Sequence, residues 1–237
     1  RRPYELAWQL NMNFVMGNQY CAITPRGAIE QEEKYYFWQE KQVYNHIAPI
    51  VETRLARLNR VRPKPVARPF SNSDKDIASA KLSTKILDSV HDKTRLDEIV
   101  TEVTSWSEVC GTAFYKIAWD NAKSDVKIIA CSPFEIYPDS NVTQTVEGCS
   151  SIIHAKVYDA TDVKNTWGVD VRGQDIKVFN INSVAGVGGL GYNSTVPSIS
   201  QEQKSNQVLV LERYTKPTVD YPNGKLEIVA GDTLLYY

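Results

Sequence analysis

The chain has 237 residues, 42% of them hydrophobic and 23% charged, a globular composition that excludes collagen, a disordered tail and a disulfide mini-protein. Lys and Arg number 27 against 28 Asp and Glu, a formal charge of -1, so no whole-chain positive field draws nucleic acid and any such role is local. No run of about 18 apolar residues could span a bilayer and no charged-then-apolar leader is present, which reads as a soluble intracellular chain.

In chain order, the crowded apolar groups of WQLNMNFVMGNQY (Trp8, Leu10, Met12, Phe14, Val15) predict a short helix broken at Gly17 and Asn18. After the turn Thr24 to Gly27, the glycine-free run from Ile29 to about Arg60 predicts one long helix of about 45 Å. Pro49 is expected to kink it near Asn45 or His46. Beyond the kink, Ile47, Val51, Leu55 and Leu58 share one stripe that packs on something. Tyr35, Tyr36, Phe37 and Trp38 are consecutive, so they point all round that helix. They predict clasping between two layers or contact with another subunit.

Three prolines between Arg62 and Phe70 make that segment an extended connector. Ser73 with Asp76, and Thr94 with Asp97, predict the capped starts of two helices, about Asp74 to Val90 and Thr94 to Cys110. The second has a stripe of Leu96, Ile99, Val100, Val103, Trp106 and Cys110. In the first only Lys81, Lys85 and Asp88 form a polar stripe, so it is expected to be the more buried.

From Gly111 the period turns strand-like: GTAFYKIAWD and DVKIIACS flank a turn at Asn121 to Ser124, and SSIIHAKVYD is a third strand. A short helix over Thr161 to Trp167 precedes a Gly-, Asn- and Ser-rich loop from Gly168 to Asn206. VLVLERYTKP and KLEIVAG flank the Asn223-Gly224 turn, and Gly231-Asp232 leads into TLLYY. Helices first and antiparallel strands second give an α+β chain: a helical part over 1–110 with a long kinked helix, then an antiparallel β-rich part over 111–237 with a loop at about 168–207.

Cys21, Cys110, Cys131 and Cys149 lack CxxC spacing, and His46, His91 and His154 lie far apart in sequence, so no metal site is expected and the cysteines read as buried thiols. Gly186, Gly188 and Gly191 match GxGxxG, with Glu212 about twenty residues on. NSTVPS follows them in place of a helix, so the stretch reads as a loop and not a dinucleotide site. Asp74 and Asp76, and Asp92, Asp97 and Glu98 near His91, lie at helix starts, where carboxylates complement the helix dipole without catalysis. There is no GxSxG, HExxH or P-loop, so neither an enzyme nor a cofactor is expected. The sequons Asn141-Val-Thr143 and Asn193-Ser-Thr195 are expected to be idle.

One run departs from the balanced charge: Arg54, Arg57, Arg60, Arg62, Lys64 and Arg68 have no acid between them. All six on phosphates would give a salt slope of about -5. The alternative is pairing with acids elsewhere in the fold or on a neighbouring subunit.

Several stretches together resemble the portal proteins of tailed bacteriophages: WQLNMNFVMGNQY with Phe14, Gly17 and Gln19-Tyr20; Arg62-Pro63 ahead of DKDIASAKL; WSEVCGTAFYKIAWD; SPFEIYPDS; and LERYTKP. The resemblance implies a wing-like fold in which a helix ending in a Gly-Thr turn, here Gly111-Thr112, enters a β-hairpin. It implies too that the strand of Ser132 to Asp139 ends in a Pro-Asp turn. It covers most of the chain outside Gly168 to Gln207, which corresponds to the outer wing. It further implies a virion protein, assembled in the host cytoplasm as a homo-oligomeric ring of about twelve copies at a capsid vertex. Double-stranded DNA would pass through the ring, and terminase, major capsid protein and head-tail connector proteins would attach to it. The stem, clip and crown would lie outside this chain, which begins at Arg1 and stops on Tyr237 as a fragment would. The other reading is a nucleic-acid-binding or scaffold module that uses the Arg54 to Arg68 run.

Overall fold

The computed structural model describes residues 1–31, 38, 42–62, 64–120, 124–139, 145–179 and 201–237. The chain divides into two compact units, Arg1–Ser132 and Pro133–Tyr237. The architecture is α+β, but helices and strands do not follow one another in two blocks. A small hairpin lies among the first helices and a helix lies among the later strands. No described helix is long and apolar enough to cross a membrane.

In the first unit, α1 (Arg2–Val15) starts with Pro3 in its first turn, where the missing N–H costs no hydrogen bond. It buries Met12, Asn13 and Val15. The chain then forms a short antiparallel hairpin of β1 (Cys21–Ile23) and β2 (Ile29–Gln31). The expected long helix is therefore absent at Ile29–Gln31, and residues 42–46 are also non-helical. Of the aromatic cluster, Tyr35, Tyr36 and Phe37 lie outside the described residues, and Trp38 sits exposed in a turn.

Helix α2 (Ile47–Arg60) begins where the kink was expected, and the reason is local. The side-chain carbonyl of Asn45 accepts from the backbone N–H of Ile47 at 3.1 Å and of Ala48 at 3.2 Å. Pro49, the third helical residue, has no N–H to satisfy. Proline thus opens this helix and does not bend it. The Asn45 amide also donates to the Val15 carbonyl at 2.8 Å, so one side chain ties the end of α1 to the start of α2. The expected stripe is only half right: Val51 and Leu55 are partly covered with buried Ala48, whereas Ile47 and Leu58 are exposed.

Helix α3 (Asp74–Thr94) starts as expected, with the Ser73 hydroxyl accepting from the Asp76 N–H at 3.3 Å. The second expected cap does not form. Thr94 remains helical and its hydroxyl donates to the Val90 carbonyl at 2.7 Å, while Arg95, with φ of 50°, turns the chain into α4 (Leu96–Cys110). The burial order is also reversed. No residue of α3 is buried, whereas α4 buries Val103, Trp106, Val109 and Cys110. The Asn11 amide donates to the Val109 carbonyl at 3.0 Å and joins α1 to α4. Gly111, at φ of 76°, ends α4, and a hairpin of β3 (Phe114–Asp120) and β4 (Asp125–Cys131) follows in continuous register.

The second unit is a six-stranded antiparallel sheet in the order β10-β9-β8-β6-β5, with β7 also paired to β8. Its strands are β5 (Ile136–Pro138), β6 (Ser151–Asp159), β7 (Gln174–Phe179), β8 (Gln201–Thr215), β9 (Lys225–Ala230) and β10 (Thr233–Tyr236). Of the expected loop at 168–207, residues 174–179 and 201–207 are strand, and residues 180–200, including the GxGxxG glycines and Asn193, lie outside the described residues, as does Asn141. Helix α5 (Ala160–Trp167) starts on Asp159, whose carboxylate accepts from the Thr161 N–H at 2.8 Å and from the Asn206 and Gln207 amides at 3.3 Å. Those bonds, led by the one from Thr161, hold the Asp159 carboxyl below its ordinary range. The core is Ala160, Val163, Val171, Val208, Val210, Ile228 and Ala230.

Gly224 turns β8 into β9 at φ of 78°, and a Cβ there would stand 2.7 Å from the Thr215 carbonyl oxygen. At Gly111, with φ of 76°, a Cβ would meet nothing within 4 Å. Gly224→Ala is expected to lose about 2–3 kcal/mol and Gly111→Ala about 1 kcal/mol, read as urea midpoints; equal losses would show that the Thr215 contact relaxes without cost.

Candidate nucleic-acid interface and a buried histidine

The basic run divides between two elements. Arg54, Arg57 and Arg60 stand on α2, and Arg62, Lys64 and Arg68 on the extended segment after it. Steps of three residues turn a helix by about 60° short of a full turn, so the three arginines wind around α2 and do not form one row. Two of the six cations are engaged within the fold. Arg54 grips Glu108 of α4 through two parallel bonds, Nε to Oε2 at 2.7 Å and Nη2 to Oε1 at 3.1 Å. Arg62 Nη1 lies 2.7 Å from Asp97 Oδ1, and its Nε donates to the Asn59 carbonyl at 3.0 Å.

Arg57, Arg60, Lys64 and Arg68 are exposed and have no ion-pair partner among the described residues. Any phosphate contact in this region falls to these four.

The acids weighed from sequence sit in the same unit. Asp76 accepts from the Ser71 hydroxyl and its N–H is used by the Ser73 cap. His91 Nε2 is 3.4 Å from the Asp97 oxygen that Arg62 already holds. Asp92 and Glu98 are exposed, and Glu98 faces Arg95 at 3.6 Å. The hydrogen bond from Arg62 holds Asp97 below its ordinary carboxyl range, and that from Arg54 does the same for Glu108. Of these acids, Asp97 and Glu108 act as ion-pair partners of the basic run.

In the second unit the structure brings together residues that sequence reasoning left apart. His154 is 4% exposed on β6, opposite Glu212 of β8 in the strand register. Its Nε2 lies 3.6 Å from Glu135 Oε2 and its Nδ1 3.8 Å from Glu212 Oε2, within ion-pairing range and beyond good hydrogen-bond length. Glu212 is buried and accepts from the Tyr214 hydroxyl at 2.7 Å. Glu135 stands just before β5, and its carbonyl accepts from the Ala155 N–H at 2.8 Å, next to His154.

The imidazole thus stands between two carboxylates, one just ahead of β5 and one on β8. A one-residue slip of β6 against β8 would part His154 from Glu212 and leave buried polar groups to be re-satisfied, so the trio also fixes the register. A signal for Glu212 was present in sequence: it continues the two-residue parity of Val208 and Val210 and so faces inward. The partner strand and its offset were not readable.

The two guanidinium–carboxylate pairs carry a pH signature. A folded-state pKa below the ordinary value contributes stability that is present above that value and lost as pH falls through the folded one. The stability difference between the native chain and Arg54→Ala is therefore expected to hold from neutral pH down to the ordinary carboxyl range and to close as the pH falls below that range and Glu108 protonates. Thermal melts across that range check it; a gap that widens in acid would contradict the assigned sign.

No protein-family model matches the chain, and no curated protein matches it.

Proposed function

We propose that this chain is the wing part of a portal subunit, a structural protein that forms a ring at a tailed-phage capsid vertex. The ring would hold about twelve copies, let double-stranded DNA through during packaging and ejection, and carry terminase, the major capsid protein and head-tail connector proteins on its faces. The chain would act in the virion without catalysis, having met its neighbours in the host cytoplasm.

The observation that carries this reading is α3. A 21-residue helix with no buried residue, exposing Leu82, Ile86 and Leu87, is built for a surface that the described residues do not supply. Local geometry at these motifs agrees in part: α4 ends on a left-handed Gly111 that leads into the β3–β4 hairpin, whereas of the expected strand Ser132 to Asp139 only Ile136–Pro138 is strand, behind a turn at 133–135. A near-neutral chain also suits a channel, because a strongly basic wall would grip phosphates and not let them pass. Light scattering and negative-stain images of the full-length protein test the reading. A closed ring is expected; a monomer or dimer at every concentration and salt would sink it.

A second reading, a nucleic-acid-binding module, is favoured by the four exposed cations Arg57, Arg60, Lys64 and Arg68. If all four meet phosphates, duplex binding should show a log–log salt slope of about -3.6, and Arg57→Glu should make it shallower by about 1. No measurable duplex binding at low salt would remove this reading.

A further inference from the structure

Strand β3 carries its side chains the opposite way round from an ordinary surface strand. Tyr115, Ile117 and Trp119 are 47%, 70% and 62% exposed, while the alternate residues Phe114, Lys116, Ala118 and Asp120 are partly covered. A solvated strand puts its charged residues out and its aromatics in. The register sets Val126, Ile128 and Ala130 of β4 directly opposite the exposed three, so this face of the hairpin carries no charge over six positions. Asp125 is on the other face, where it pairs with Lys93 at 3.1 Å.

The same unit has a second bare apolar surface. On α3, Leu82 and Ile86 are four residues apart on one face and are 61% and 54% exposed. Exposed Lys81 and Lys85 flank them.

We infer that the β3 face and the Leu82–Ile86 face of α3 are the two halves of one head-to-tail contact between copies of this chain. The contact rests on the ring reading only for its closure and copy number.

Three observations select a second copy as the occupant. With aromatic side chains worth about 150–250 Å² each, the β3 face offers roughly 350 Å² of apolar surface, close to the apolar share of about 450 Å² that one partner brings to a standard interface. A face without cations does not suit nucleic acid, whereas aromatic rings accept ammonium groups, and the lysines beside Leu82 and Ile86 can lay their stems along Tyr115 and Trp119. A symmetric contact through either face alone would leave the other bare, and one heterologous contact covers both. Tyr and Trp are also the residues on which interface energy concentrates.

The test uses the chain itself, its mass followed by light scattering and sedimentation over a wide concentration range. Ile117→Lys blocks the strand face and Leu82→Lys blocks the helix face; circular dichroism and melting curves confirm that both variants fold, with Tyr115→Ser and Ile86→Ser as milder replacements if either does not. The native chain is expected to associate with rising concentration and each variant alone to stay monomeric. An equimolar mixture should recover dimers and nothing larger, because each mixed pair keeps one intact strand face and one intact helix face.

A native chain that stays monomeric throughout, or variants that associate as the native chain does, overturns the contact. Loss in both variants without recovery on mixing overturns the head-to-tail pairing. Association into open filaments leaves the contact standing and removes the ring reading. Rings of the full-length protein that ignore both substitutions do the reverse.

Discussion

The second unit depends on one pairing, the nine-residue ladder between β6 and β8. Side chains alternate along a strand, so the ladder fixes the parity of every residue on both strands at once. It turns Val208 and Val210 into the core with Val163 and Ala230, and it sets His154 opposite Glu212. At its end, where Asp159 stands opposite Gln207, the same carboxylate caps α5 and accepts from Asn206. Asn206 has φ of 56° in the middle of β8, the conformation that Asn tolerates better than other side-bearing residues. Before it β8 pairs with β7 and after it with β6, while Gln207 is paired with both, opposite Gln174 and Asp159.

The first unit is organised by a different constraint, because its apolar burial centres on α4. Trp106, Val103, Val109 and Cys110 supply most of its buried large groups, joined by Met12 and Val15 of α1 and Ala48 of α2. The polar ties are short and specific: Asn11 to Val109, Asn45 to Val15, Arg54 to Glu108. None of these reaches α3, which meets the rest of the unit through half-covered groups, the Ala67 N–H on the Thr84 hydroxyl, His91 beside Asp97 and the Lys93–Asp125 pair. An exposed ion pair contributes little, so α3 is a helix whose apolar side is largely unspent within its own unit.

Legibility from sequence follows the range of the forces. The Ser73 cap, the α4 stripe, the β3–β4 hairpin and the Asn223-Gly224 turn were readable because each depends on residues a few positions apart. The long helix failed because composition gave no sign that Asn45 would take the first free N–H groups of α2 and so start it afresh. The burial of α3 was misjudged because an apolar helix face reads alike whether it meets its own chain or a neighbour. Among the candidate residues, the basic run was visible as a run, but its division into paired Arg54 and Arg62 and four open cations depends on where α4 lies. His154 was visible only as a solitary histidine, because its carboxylates stand 19 residues before it and 58 after it, and only strand register joins them.

These placements bear on how the two functional readings relate. The open cations are on α2 and the segment behind it, whereas the open apolar faces are on α3 and β3, so neither surface consumes residues of the other. A chain of this kind can meet its copies through uncharged surface and still present cations to an anionic polymer. Holding Arg54 and Arg62 in ion pairs lowers the count of cations free for phosphate from six to four. Each contact withheld lowers the salt dependence of binding by about one unit of slope, so four cations on phosphate would hold a duplex loosely at physiological salt. Loose attraction suits a surface along which DNA slides, and it suits a sequence-specific reader poorly, since such a reader must add base contacts to its phosphate contacts.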